Sequence, residues 1–428
     1  MSLDLFTKLH HDAREIFNSA LAAVNPCVTT RRVINSIRDS VIHQNDPLYV
    51  VSIGKAGLGM ARALNESLNK TLVAGICVCP PQPDSTLDEK WQIFHGGHPL
   101  PNEASLAAAT AVFRLLDQAN IDRASVIFAI SGGGSAMIEA PVAEDISLTD
   151  LQQANRLLVG SGASIAEINT IRRAFSAVKG GRLLNKIPNA HAVSLIISDT
   201  NEGDVASVAS GPTIVSGNSV VSAEELITRY NLNSKLPASI LRAVESGSPA
   251  VTPVANHPYY VVADNRMALE AAKTKAQQLG YKVEIDDDIC EQPIEQGCEE
   301  LLASLAKATS STCFISGGEF SCPVRGDGLG GRNSETSLRC AILLQQQDYA
   351  TPTVVLSAGT DGIDGNSPAA GAVADNTTLE RASSVGLDAP DYLFRSDSYS
   401  FFESLGDEIL TGPTGTNVRD IRLLLRSN

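Results

Sequence analysis

Apolar residues recur at helical spacing over residues 4–24, and the pattern then changes to short unbroken apolar runs. The first run, LYVVSI at 48–53, reads as a strand buried on both faces, the kind a parallel sheet uses. Similar runs lie at 73–78, 125–130 (SVIFAI), 192–197 (AVSLII), 259–263, 282–285, 312–315, 352–356 (PTVVL) and 421–425. Stretches with helical periodicity separate them: 58–69, 103–116, 149–158, 165–184, 265–279, 294–307, one starting near 333, and a short one at 401–405. Strand alternating with helix predicts an α/β fold with open parallel sheets. The rhythm pauses over 216–258, which reads as short helices and Pro-containing loops, so a domain junction is expected between about Ser246 and Pro258. A chain of 428 residues exceeds one typical core, and two domains are expected, 1–250 and 251–428.

Five of the apolar runs end in glycines mixed with charged or hydroxyl groups. The carboxyl ends of strands are where open α/β sheets bind ligands. After 48–53 comes Gly54-Lys55-Ala56-Gly57, a turn with a lysine but without the spacing of a Walker A loop. After 125–130 comes Ser131-Gly132-Gly133-Gly134-Ser135, whose successive N–H groups can form an anion nest; tight strand–helix packing would ask for the same glycines. After 192–197 comes Ser198-Asp199-Thr200-Asn201-Glu202-Gly203-Asp204. Its carboxylates suit magnesium, an Asx-rich turn, or, for one of them, a general base. After 312–315 comes the glycine-rich SGGEFSCPVRGDGLGGRNSE, which runs into a helix start at Arg332, Asn333 and Glu335. Such a helix start favours an anion, and Arg332 offers a planar fork of donors. After 352–356 comes Ser357-Ala358-Gly359-Thr360-Asp361, again carboxylate with glycine. Within 165–184, Asn169, Arg172 and Arg173 lie on neighbouring helix faces, either as a solvated basic face or turned into a cleft.

Charge changes the picture by exclusion. Lys and Arg number 33 against 48 Asp and Glu, a net charge of −15, which argues against nucleic acid or an anionic membrane as partner. Any anionic substrate then needs cations gathered locally. The eight cysteines form no CxxC pair, and several sit inside strand runs, so reduced thiols and a cytoplasmic location are expected. His95 and His98, in HGGHPLPN, fit a shaped loop better than a metal site. Anion nests, scarce cations and magnesium-type carboxylates together fit phosphoryl transfer. Hydride transfer would want a dinucleotide fingerprint. The nearest approach, GKAGLG at 54–59, does not fit it, and the second strand ends in Cys79-Pro80 without the acidic residue.

The segments IGKAGLGMA, GGHPLPNEAS, SGGGSA, INTIRRAFSAVKGGRL, ISDTNEGDVASVASGPT, SGGEFSCPVRGDGLGGRNSE and SAGTDGIDGNSPAAGA span nearly the whole chain in order. They resemble the glycerate 2-kinase family of the MOFRL type, some members of which carry the label hydroxypyruvate reductase. The resemblance implies a Rossmann-like three-layer α/β/α N-terminal domain and an α/β C-terminal domain with a MOFRL region at about 311–425. It also implies an active site in the cleft between them. The implied reaction is ATP- and magnesium-dependent phosphorylation of D-glycerate to 2-phospho-D-glycerate. The family's lysine and arginine fall on Lys55 and Arg332. By chemistry and position, Asp199 joins these two as catalytic. Ser131, Gly132, Gly133, Gly134, Ser135, Arg172, Asn333 and Glu335 are the substrate- or phosphate-binding candidates. Asp199, Glu202 and Asp361 are the metal-binding candidates. The carboxylate of glycerate would be held by Arg332 or Arg172. A homodimer is compatible with this reading. The rival readings are an NAD(P)H-dependent hydroxypyruvate reductase and a non-catalytic sugar-acid-binding protein.

Overall fold

The computed structural model describes residues 3–42, 46–82, 85–215, 221–247, 257–308, 311–347 and 351–427. The junction expected between Ser246 and Pro258 falls mostly outside these residues, as do parts of the loops expected at 80–84 and 216–258. By its contacts the chain divides into two units, Pro26–Val262 and Met1–Asn25 with Ala263–Asn428.

The first sheet contains β1 (Leu48–Ile53), β2 (Leu72–Cys79), β3 (Trp91–His95), β4 (Ser125–Ser131), β5 (His191–Ile197) and β6 (Tyr259–Ala263), in the order β3-β2-β1-β4-β5-β6. The pairings from β3 through to β5 are all parallel. Every residue of β1 and β4 is buried, which is why both read as unbroken apolar runs. The strand order is that of doubly wound sheets, and its direction reverses between β1 and β4. The helix expected over 165–184 spans only Ile165–Phe175, starting at a Ser164–Glu167 capping box. It stops because Ser176 turns extended to bridge Pro141, and Gly180 and Gly181 follow with positive φ. Lys179 and Arg182 therefore sit in a turn.

His257, just before β6, lies 2.9 Å from Ser194 Oγ through its Nε2. Burial pulls its pKa down from 6.5 to about 4, against a backbone hydrogen bond to Ala192. A depressed histidine contributes stability above its unfolded pKa that is lost as pH falls toward the folded value. We therefore expect this group to remove up to roughly 3 kcal/mol between about pH 6.5 and pH 4. Urea unfolding at pH 7 and pH 4.5 checks it: the acid loss should be smaller in His257→Gln than in the wild type.

The second sheet contains β7 (Lys282–Asp286), β8 (Thr312–Gly318), β9 (Thr353–Gly359), β10 (Gly371–Asp375), β11 (Glu408–Ile409) and β12 (Asp420–Arg426), in the order β11-β10-β9-β12-β8-β7. It is mixed, where the alternating pattern predicts parallel strands. Only β7 and β8 pair parallel, and β12 runs antiparallel between β8 and β9. Asp420, at the start of β12, is thereby set opposite both Gly318 and Gly359. β3, β10 and β11 escape the sequence pattern because they are short and lack a long apolar run.

Residues 1–25, expected with the N-terminal domain, pack with residues 263–428. Helix Leu3–Ala23 buries Phe6, Leu9, Ala13, Ile16, Phe17 and Ala20, one stripe at helical spacing. It lies against helix Asn265–Gln278 and strands β9 and β12. Two buried carboxylates tie it down: Asp12 accepts from Tyr281 OH at 2.7 Å, and Asp375 lies 2.7 Å from His10 Nε2. All eight cysteines are free thiols. Among the described residues no helix is long and apolar enough to cross a membrane.

Candidate active site

The loops leaving β1 and β4 interlock at the point where the strand order reverses. Lys55 N donates to Gly132 O at 2.8 Å, and Ala56 N donates to Ser131 Oγ at 3.0 Å. Ser131 Oγ in turn donates to Ile53 O at 3.1 Å, so this expected ligand-binding hydroxyl is buried and committed to the turn. Gly133 has φ +78°, the left-handed region, and helix Gly134–Met137 follows at once. This alternation makes a nest: the N–H groups of Gly133, Gly134 and Ser135 have no acceptor among the described residues. A Cβ on Gly132 would collide with the Asp199 carboxylate, so Asp199 lies against the loop. A Cβ on Gly133 would lie 3.2 Å from Lys55 Cγ and 3.2 Å from His98 Cδ2. Lys55, His98 and Asp199 thus surround two adjacent glycines. His98 is the member that the sequence reading took only as part of a shaped loop.

Ser135 has a defined hydrogen-bond direction. Ser210 Oγ donates to Asn169 Oδ1 at 2.8 Å, so the 2.8 Å contact between Ser135 and Ser210 runs from Ser135 to Ser210. The Ser135 oxygen then offers lone pairs, which suits a donor such as a substrate hydroxyl better than a phosphate oxygen. Glu202 stands at the exposed tip of a turn that bonds to itself through Thr200 Oγ1 and Asp204 O at 2.9 Å.

The same unit holds a buried cationic cluster. Glu139 and Lys179 form an ion pair with both side chains 2% exposed. Glu139 Oε1 also accepts from Ser176 Oγ at 2.5 Å and from Ala140 N at 3.0 Å. Burial pulls the pKa values of Arg172, Arg173, Lys179 and Arg182 down. Glu139 opposes this at Arg172, Lys179 and Arg182, and Asp204 opposes it at Arg173. A single buried carboxylate thus counters three of these cations, a surplus of positive charge suited to an anionic ligand. Arg172 is partly committed within it, donating from Nε to Asn155 Oδ1 at 2.8 Å.

The second sheet gathers charges of its own. Helix Arg332–Gln346 begins after Gly331, and its N-terminus already holds an anion, Asp364. Asp364 accepts from Asn333 N at 2.9 Å, Ser334 N at 2.8 Å, Gly331 N at 3.1 Å and Ser334 Oγ at 2.6 Å. The anion expected from a ligand at this helix start is therefore the protein's own carboxylate. Burial nonetheless leaves the Asp364 pKa raised. Arg332 grips Asp420 through Nε at 2.5 Å and Nη2 at 3.2 Å, and reaches Glu319 at 2.8 Å. Burial disfavours its charge, but Asp420, Glu319 and Asp364 outweigh that and raise its pKa. Asn333 is buried between Asp420, at 3.0 Å, and Ser357, at 2.7 Å, and Glu335 is paired with Arg339 at 2.7 Å. Both side chains hold the helix start in place. Asp361 and Asp420 converge on Gly359, whose Cβ would lie 3.2 and 3.4 Å from their carboxylates. Among the described residues no group of three or more His, Cys, Asp or Glu is arranged to hold a metal ion.

Comparison with known proteins shows the family. Residues 12–245 match the profile of a domain of unknown function, DUF4147, and residues 312–420 match the MOFRL family. The chain is 32% identical to the D-glycerate 2-kinase of Thermotoga maritima, covering 96% of both chains. It is 34% identical to an Agrobacterium vitis protein named for hydroxypyruvate reductase activity, covering 96% of this chain and 93% of that one. A crystal structure of glycerate kinase from Thermotoga maritima superposes with a TM-score of 0.84 at 31% identity, covering 98% of this chain and 100% of that one. The chain belongs to the glycerate 2-kinase family built from DUF4147 and MOFRL domains.

Proposed function

We propose that the protein transfers the γ-phosphoryl group of ATP to the 2-hydroxyl of D-glycerate. The observation that carries this is the free nest at Gly133–Ser135 beside Lys55 and Asp199, at the point where the strand order reverses. Phosphoryl transfer asks mainly for positioning and for charge where the equatorial oxygens develop it. In this reading the nest and Lys55 hold the phosphoryl oxygens, and Ser135 accepts a hydrogen bond from the 3-hydroxyl of glycerate, which does not react. The 2-hydroxyl oxygen bonds to the γ-phosphorus, the bond to the bridging oxygen breaks, and ADP leaves. The hydroxyl proton passes to a carboxylate, for which Asp199, against Gly132, is best sited. The carboxylate of glycerate is drawn by the cationic surplus around Arg172.

Magnesium fits the residues present, because it is usually held by one or two carboxylates together with phosphate oxygens. Asp199 with Glu202, on one turn beside the nest's loop, is the carboxylate set that would hold it. Bound there, it would neutralise phosphate charge.

A paired assay tests the reading. One arm follows ADP release with D-glycerate, ATP and magnesium, with the product identified by phosphorus NMR. The other follows NADH and NADPH oxidation with hydroxypyruvate, the reading favoured by the name of the Agrobacterium relative. We expect glycerate-dependent ADP release that EDTA stops, a 2-phosphorylated product and no nucleotide oxidation. Oxidation without ADP release would overturn the proposal.

A further inference from the structure

Ser135 ends a chain of hydrogen bonds that phosphoryl transfer by itself does not need. Ser135 Oγ lies 2.8 Å from Ser210 Oγ, and Ser210 Oγ donates to Asn169 Oδ1 at 2.8 Å. A carbonyl oxygen only accepts, so the Ser210 proton is committed to Asn169 and the proton between the two serines comes from Ser135. Asn169 and Ser210 are 2% and 1% exposed, whereas Ser135 is part-buried. The chain thus begins inside the protein and ends on an oxygen that solvent or a ligand can reach. Among the described residues nothing donates to that oxygen.

The inner members are held rigidly, and Ser210 is held under strain. Ala209, Ser210 and Gly211 have φ of +51°, +62° and +65°, a left-handed run in which only the last residue is glycine. Left-handed backbone is unfavourable for residues that carry a Cβ, and it persists where the surroundings enforce it. Here Gly180 N donates to Ser210 O at 3.1 Å, and Gly181 N donates to Gly211 O at 2.6 Å. A Cβ on Gly134 would lie 2.8 Å from the Ala209 methyl, so the run is pressed against the short helix that carries Ser135. Asn169 stands on helix Ile165–Phe175, whose capping Glu167 is itself bound by Tyr230 OH at 2.9 Å. Arg172 follows Asn169 by three residues, on a neighbouring face. One helix therefore anchors the chain behind Ser135 and carries a cation suited to the glycerate carboxylate.

A serine hydroxyl with free rotation either donates or accepts. Asn169, acting through Ser210, sets Ser135 as an acceptor. It then recognises an O–H or N–H donor, and a methyl group in the same place leaves its lone pairs unmatched.

We propose that Ser210 and Asn169 are positioning residues that fix Ser135 as an acceptor for the 3-hydroxyl of the substrate. The site thereby selects 2-hydroxy acids that carry a hydroxyl on the next carbon over those that end in a methyl group, glycerate over lactate. The proposal rests on the reading of D-glycerate as the phosphoryl acceptor bound beside this loop.

The test follows ATP-dependent ADP release by the full chain with D-glycerate and with D-lactate, and reads the ratio of the two kcat/KM values. We expect the wild type to prefer D-glycerate by at least about 10²-fold. Ser210→Ala, Asn169→Leu and Ser135→Ala should each cut that preference about tenfold, chiefly by raising KM for D-glycerate. Asn169→Asp keeps an oxygen for the Ser210 proton and should keep the preference. Damage to the fold alone would lower both substrates together and leave the ratio unchanged. A ratio within threefold of wild type in Ser210→Ala and Asn169→Leu overturns the proposal. So does a wild-type preference below tenfold, which decides the matter even where the variants fold poorly. The two levels separate in the wild type. Glycerate-dependent ADP release with unchanged ratios in the variants removes only the role of Ser210 and Asn169; no ADP release with either acid overturns the kinase reading and this proposal with it.

Discussion

Lys55→Met is expected to lower kcat by about 10²–10³-fold while leaving folding stability within about 1 kcal/mol of the wild type. The methionine keeps the apolar stem that lies beside Gly133 and removes only the ammonium. The backbone of residue 55 ties the two loops together through the Lys55 N bond to Gly132 O, and methionine leaves that bond in place. Loss of charge should therefore appear in the rate and not in the fold. Steady-state kinetics with a urea melt on the same preparation checks both halves. A variant within threefold of wild-type turnover would remove Lys55 from the mechanism. Arg332 cannot be tested so simply. It is the main partner of Asp420, whose side chain is 2% exposed, so deleting it would strand a buried carboxylate as well as any ligand.

Glu139→Gln is expected to destabilise the fold by about 3–5 kcal/mol. Glu139 is the carboxylate against which Lys179, Arg172 and Arg182 are held, and its partner Lys179 is itself fully enclosed. Glutamine keeps the size and the hydrogen bond from Ser176 but leaves buried cations without their counter-charge. Adding Lys179→Met should restore part of the loss, because it removes one of the stranded charges. A double-mutant cycle by urea unfolding measures this coupling. Additive losses would mean that the pair contributes nothing beyond its separate burial.

Much of the site was visible in the chain because its parts are local. The nest comes from consecutive residues, Gly133 to Ser135, at the end of an apolar run, and Lys55 and Asp199 likewise follow directly on strands. Ser131 is a binding candidate by type and position, and its burial depends on the neighbouring loop, where its oxygen accepts from Ala56 N. The same holds for the candidates Asn333 and Glu335. Their types suit a ligand, but Ser357 and Arg339 stand ready to take them. His98 read only as part of a shaped loop because Gly133, beside it in the fold, lies beyond two intervening elements of the chain, helix Glu103–Ile121 and β4.

Apolar runs, helical periodicity and glycines at strand ends report interactions within a few residues, so the linear order of residues was sufficient to establish an α/β chain of two sheets and most of its strand-end chemistry. Strand order was left to the folded molecule, because short apolar strands can pair in many orders with similar local energies. That order placed β12 antiparallel between β8 and β9 and so handed Arg332 to Asp420. It also filled the start of helix Arg332–Gln346 with Asp364 and carried His98 across two strand ends to the nest. Each of these charges found its partner across a loop or a sheet, where desolvation makes the choice of partner strong and where no local pattern records it.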